Sequence, residues 1–363
     1  MDAHCLTVRI LAGVVVAAGV LAGAACDAAG VADKTGSNVV VLRFATIDNL
    51  NPNGEIIGPP VFVDALQRIS GGRLRVTVVD HYGDTAASAE SDLVAALDGG
   101  ALDGGFPATR AFGPAGLHGM EPVEAPFMVN GYAAQRALAG GPAASRLLAT
   151  LDHSRVIGLG LTVGPVRRLW SVDTPLTDLR HWRGMPIRAF HSSVQADVVR
   201  VLGGVPVEAS YTFPDLVRAG TLRAAEIDVA QYARNNYGRL LPVLAANVVL
   251  WPRMPVIAMS RTRYDALSPK QREWLRAAAR EAVQASIDHG YDDSTIADRL
   301  CKQGVRVAQA SPAQLAELRE AVRPVLDRLA GDPATAASMA EVVKATAGTV
   351  PEPLVVPAEC RLP

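Results

Sequence analysis

Apolar residues fall along this chain in two alternating rhythms. The β-branched run VVVLRFAT at residues 39–46 suits a buried strand, and RLRVTVVD at 73–80 alternates like a second one. Between them, PPVFVDALQRIS at 59–70 carries apolar residues at helical spacing and stops at Gly71 and Gly72. SAESDLVAALDGG at 88–100 returns to a helix with glycines behind it. Strand, helix, strand, helix predicts an α/β fold with crossover connections. The alternation continues through RVIGLGLTV (155–163), MPIRAF (185–190), SSVQADVVRVLGG (192–204) and VPVEAS (205–210), and PVIAMS (255–260) reads as a late strand. The spacing then predicts one long helix over 268–300, with Ser268 as its cap, Pro269 at its first position, and Trp274, Leu275 and Ala278 on one face. Helical patterns at 311–329 and 332–348 follow.

The first apolar run is of another kind. ILAGVVVAAGVLAGAA at 10–25 follows Arg9 and ends in small residues, the pattern of an export signal. It is shorter and richer in Ala and Gly than a membrane-spanning helix requires. The stretch LAGAAC resembles the lipobox of bacterial lipoproteins, which makes Cys26 a lipidation candidate, although Gly23 stands where leucine is usual. Ordinary cleavage in the Ala-rich segment is the alternative. Residues 26–38 then read as a polar linker. With Cys5 inside the signal, Cys301 and Cys360 remain, and in an exported chain such a pair invites a disulfide, two free thiols being the alternative.

Composition narrows the function. A chain of 363 residues has room for two domains, and 49% hydrophobic with 20% charged residues supplies ample core. A net charge of -1 argues against a broad nucleic-acid surface. No Cys/His cluster suggests a metal. GLGLTVG at 158–164 lacks the GxGxxG spacing and continues strand-like where a phosphate-binding helix should begin, and no GxSxG, HExxH or P-loop is present. Binding without a cofactor is therefore favoured over catalysis. The residue that most calls for a ligand is Arg188, set among apolar neighbours in GMPIRAF. Desolvating a guanidinium costs several kcal/mol unless an anion meets it, so Arg188 pairs either with a carboxylate of the protein or with one from outside.

The order of segments resembles the solute-binding proteins of TRAP transporters, the tripartite ATP-independent periplasmic carriers, dicarboxylate-receptor type. The resemblance covers residues 40 to about 330. It rests on ISGGRLRVTVVDHYGD, LDGGALDGG, EAPFMVNGYAAQRAL, TPLTDLRHWRGMPIRAF and MPVIAMSRTRYDALSPKQREWLRAAAREA, in that order. It implies a two-domain periplasmic-binding-protein-like fold with a ligand cleft between α/β domains and a long helix spanning both. One domain is expected from 39–165 and 254–293, the other from 166–253 and 294–345, with a tail at 346–363. The implied function is an extracytoplasmic receptor, periplasmic or lipid-anchored to the membrane, that captures a small organic acid and delivers it to integral-membrane permease subunits.

In the family, the arginine at the position of Arg188 forms a bidentate pair with the ligand's carboxylate, which suits a planar guanidinium. Arg167 in VGPVRRLWS matches an assisting arginine, and since neighbours on a strand face opposite ways, Arg168 is expected to be a solvated charge. Tyr211 and Trp251 are candidate cleft walls, with an ordinary core role as the alternative. Glu226 matches the family's glutamate. Arg110 is a candidate contact from the first domain or a surface charge, and Asn49 and Asn51 are ligand donors or turn formers. Two positions depart from the pattern: Arg223 stands where Asp is expected, and Ile227 replaces an Asn that often donates to ligand. They leave open a second reading, an exported lipoprotein of the same fold that senses or binds a partner without transport.

Overall fold

Two β-sheets, each with its own helices, are linked by three passages of the chain. The computed structural model describes residues 39–50 and 56–362; the export signal, Cys26, the linker and Asn51 lie outside the described residues. The first sheet contains β1 (Val40–Ala45), β2 (Leu74–Val79), β3 (Gly104–Gly105), β4 (Val156–Leu161) and, returning late, β10 (Val256–Ser260), in the order β2-β1-β3-β10-β4. The second contains β5 (Arg167–Ser171), β6 (Pro186–Ala189), β7 (Val205–Glu208), β8 (Ala224–Asp228), β9 (Val243–Ala245) and β11 (Arg306–Ala308), in the order β11-β9-β5-β8-β6-β7. β1 runs parallel to β2 and β3, and β6 parallel to β7 and β8, whereas β10 and β5 run against their neighbours. The central strands β8, β9 and β10 are buried along their whole length, while the edge strands β2 and β7 keep exposed positions.

The doublet Gly104–Gly105 shows how tightly the first sheet is packed. A side chain at Gly104 would run into the Phe44 ring, and one at Gly105 would stand 2.9 Å from the Ala45 carbonyl. Only glycine lets β3 lie this close beside β1 and the Phe44, Phe62 and Phe106 ring cluster.

The long helix is shorter than the spacing predicts. It runs Pro269–Asp288, opened by a capping box in which Ser268 and Gln271 satisfy each other's backbone amides. Its buried stripe of Trp274, Leu275, Ala278, Ala279 and Ala282 packs against the helix Gly58–Ile69 and the first sheet. At its end Val163 N–H, in the passage from β4 to β5, donates to Ser286 Oγ at 3.0 Å, so the helix reaches the point where the chain leaves the first sheet for the second. The chain then breaks through His289–Asp292, and a separate helix, Asp293–Lys302, begins with the Asp292 carboxylate accepting from Thr295 N–H at 3.0 Å. Gly290 and that cap end the continuous pattern; Arg136 satisfies the freed carbonyls of Ile287 and His289 at 3.0 and 3.2 Å.

Candidate functional site

The two sheets present strand ends to each other. From the second come Arg188 at the carboxyl end of β6, Glu226 and Asp228 at that of β8, and Arg167 at the start of antiparallel β5. From the first come Asp48 in the loop after β1 and Arg110 in the loop after β3, while Arg253 lies in the passage leading back to β10. Carboxyl ends of parallel strands are where α/β sheets bind ligands. Here they enclose a cavity of about 10 Å³, room for about one water, lined by Arg110, Arg167, Arg188, Arg253, Phe190 and Tyr211 among others.

All four arginines are buried, between 2% and 5% exposed. Three have strong acidic partners. Arg110 Nε donates to Glu90 at 2.7 Å, Arg167 pairs with Glu226 and lies 3.5 Å from Asp228, and Arg253 pairs with Asp48, which also accepts from the Tyr211 hydroxyl. Arg188 is the exception. Its Nη2 donates to the Glu226 carbonyl, the carboxylate Oε1 is 3.7 Å away, and its Nε has no hydrogen-bond partner among the described residues. Arg110 Nη1 is likewise unpartnered. Burial pushes the Arg188 guanidinium down to about 10, with Glu226 opposing the shift and the Arg167 and Arg110 charges adding to it. For Arg167, burial is outweighed by Glu226 and Asp228, and its affinity for the proton rises.

Phe190 organises the cluster. The Arg110 and Arg188 guanidinium carbons lie 3.7 and 4.8 Å from its ring centre, one reaching it from each sheet, and Arg188 also lies 4.4 Å from the Phe213 ring. Arginine stacked on an aromatic face keeps its in-plane N–H groups free, and those are the groups that grip a carboxylate.

The other sequence candidates fall in several places. Trp251 is 1% exposed in the core beneath the second sheet, behind Arg167 and Glu226 rather than on the cavity wall. Asn49 is exposed. Arg168 is not a solvated charge: it is 4% exposed, with Nη1 2.6 Å from Asp293 and Nε donating to the Ala246 carbonyl at 3.0 Å. It faces away from the cavity, as strand alternation requires, into a second buried ion pair that no sequence pattern announces. Arg110 is likewise no surface charge. The two departures from the family pattern leave the cavity untouched. Ile227 sits opposite Arg168 and packs in the apolar cluster on the far face, while half-buried Arg223 pairs with Asp173. Sequence reasoning missed Asp48, Glu90, Phe190 and Arg253. Arg253, in the apolar stretch WPRMP, carries the same signal that singled out Arg188, a guanidinium with no nearby acid in sequence. Cys301 and Cys360 are bonded, with Cα atoms 5.7 Å apart.

No helix among the described residues is long and apolar enough to cross a membrane, and none of their acidic, His or Cys side chains cluster as metal ligands do. Two α/β sheets closing strand ends over an arginine-lined cavity have the arrangement of a two-lobed binding protein. The chain belongs to bacterial extracellular solute-binding protein family 7, the receptors of TRAP transporters, whose family model matches residues 56–332. It is 24% identical over 303 residues to the C4-dicarboxylate-binding periplasmic protein DctP of Rhodobacter capsulatus, covering 78% of this chain and 86% of that one. A TRAP periplasmic solute-binding protein from Sulfitobacter sp. NAS-14.1 with bound β-D-galacturonate superposes with a TM-score of 0.73 at 18% identity, covering 84% of this chain and all of that one. One from Shewanella oneidensis with bound succinate gives 0.72 at 17% identity, covering 85% and 99%. The family is extracytoplasmic, and its name implies membrane partner subunits.

Proposed function

We propose that this protein captures a small organic acid, with Arg188 as the principal carboxylate ligand and Arg110 reaching the same acid from the first sheet. The observation that carries this is the pair of buried, unpartnered guanidinium N–H groups, Arg188 Nε and Arg110 Nη1, on either side of the cavity. A buried donor left unpaired costs about 1–3 kcal/mol, more on a charged group, and a carboxylate placed between them, once the sheets part enough to admit it, removes that cost at both. The acids held by the Sulfitobacter and Shewanella proteins support the ligand class.

The parts that move are the two sheets with their helices, 39–165 with 254–293 and 166–253 with 294–345, except that the helix Ala336–Thr346 packs on the first sheet's helices Tyr132–Gly140 and Pro142–Ala149 and travels with them. They hinge on the three chain passages, and closing excludes water and strengthens the ion pairs inside. Arg167 serves chiefly to hold Glu226 and Asp228, leaving Arg188 to the ligand. Delivery is to integral-membrane TRAP subunits, with Cys26 as the lipid anchor that keeps the receptor near them. The test is a thermal-shift screen of C4-dicarboxylates, uronates and 2-oxo acids on the parent and on Arg188→Ala. Stabilisation of the parent by an acid and its loss in the variant is the expected result; equal shifts in both remove Arg188 from the site.

A further inference from the structure

Beside the cavity, a buried carboxyl links the two sheets. Glu124 ends the short helical segment His118–Glu124, whose Met120 and Val123 pack in a core of the first sheet, and it is 1% exposed. Its Oε1 accepts from Thr109 Oγ1 at 2.6 Å, and its Oε2 accepts from Gln195 Nε2 at 2.9 Å. Gln195 stands in the first turn of the helix Ser193–Val201, which follows β6 in the second sheet. The Gln195 amide cannot turn over freely, because its Oε1 accepts from Phe190 N–H at 3.3 Å. Both ends of this link touch the cavity machinery. Thr109 precedes Arg110, and Phe190 carries the ring that receives Arg110 and Arg188.

We propose that Glu124 and Gln195 form a clasp that is made when the two sheets close over an acid, and that making it takes up a proton. The proposal rests on the reading that the cavity captures an acid by closure. Burying a carboxylate without an ion pair of its own is costly. The charged groups that act on Glu124 are Arg110, whose Nε is already bonded to Glu90, and Glu90 itself. Burial pushes Glu124 up to about 7 against the pull of Arg110, Thr109 and Gln195, with Glu90 adding to the rise. Both hydrogen bonds survive protonation, since Gln195 still donates and the Thr109 hydroxyl turns to accept.

In an open form, water returns the carboxyl to the ordinary glutamate range, about 4.3. The closed form therefore holds the proton more tightly. Its stabilisation is complete below the open-form value, is lost as pH rises through about 7, and changes no further above that.

The test is calorimetric titration with D-galacturonate, whose own carboxyl is ionised throughout, in two buffers of different protonation enthalpy. The parent is expected to bind with uptake of up to one proton, and roughly tenfold or more tighter at about pH 5.5 than at about pH 8. Glu124→Gln, which keeps the shape and both neighbours, is expected to bind with no uptake and a flat profile. A parent that binds without proton uptake, or a variant with the parent's pH profile, overturns the clasp. Arg188→Ala, titrated alongside, tests the arginine reading separately. If galacturonate does not bind at all, small-angle scattering of the unliganded proteins takes over. Compaction of the parent at the lower pH that Glu124→Gln no longer shows with pH supports the clasp, and equal dimensions at both pH values in both proteins overturn it.

Discussion

At the residue scale, the two cavity arginines of the second sheet have different partners, and mutation separates them. Arg167 is the nearest cation to Glu226 and Asp228, both buried, so Arg167→Ala takes the close partner from two carboxylates and should destabilise the fold by about 3–5 kcal/mol. Denaturant unfolding reads this directly, and a loss under about 1 kcal/mol contradicts it. Arg188 bonds a backbone carbonyl and no carboxylate within hydrogen-bond reach, so Arg188→Ala should cost little stability while weakening acid binding by about 2–5 kcal/mol, roughly thirtyfold to several thousandfold in Kd. The sequence pointed to Arg188 because a guanidinium among apolar residues raises a question of partners, to Arg167 because it matches the family's assisting arginine, and to Arg110 and Tyr211 by their positions along the chain. It could not show that Arg168 would be buried as deeply as Arg167. The partner that buries it, Asp293, lies more than a hundred residues away in the chain, and only the tertiary fold brings the two within 2.6 Å.

At the element scale, long strands and helices were legible and short ones were not. β1 announces itself by a β-branched run, β2 by alternation, β4, β6 and β10 by short apolar stretches, and the helix at Pro269 by its cap and apolar stripe. β9 and β11, three residues each, are too short to carry a period, and β8 reads AAEID, where carboxylates interrupt the apolar pattern because they pair with the buried Arg167. Polar residues held in a buried ion network break the pattern that would have revealed their strand. The doublet at β3 gives an element-level prediction. Gly104→Ala puts a methyl group into the Phe44 ring, and the sheet must open or the ring must leave its place in the aromatic cluster. The expected loss is about 1–3 kcal/mol in denaturant unfolding, with no change in the cavity arginines' ligand preference. Gly71→Ala, where a methyl group meets nothing but φ is +60°, should cost less, about 1 kcal/mol.

At the scale of the whole molecule, the C-terminal tail ties the two sheets together from behind. Leu354 and Val356 are buried in a cluster of the second sheet, and Leu362 N–H donates to the Val307 carbonyl of β11 at 2.7 Å. On the other side, Glu352 accepts from Tyr132 N–H at 2.9 Å, at the start of a helix of the first sheet. The same Tyr132 sends its hydroxyl to Asp293 at 3.0 Å, next to the Arg168 pair, so tail and hinge meet at one residue. The bond between Cys301 and Cys360 anchors the tail's far end across a separation of 59 residues. Closing a loop of that size removes freedom from the unfolded chain, so Cys360→Ser should lower stability by about 2–4 kcal/mol. A purely local anchor would change only the amides near Cys360. Because the tail also holds Tyr132, its release should speed hydrogen exchange at the Tyr132 amide as well, where the Glu352 carboxylate loses its fixed position. Exchange measured on the parent and Cys360→Ser decides between the two: unchanged protection at Tyr132 means that the buried Leu354 and Val356 hold the strap without the disulfide.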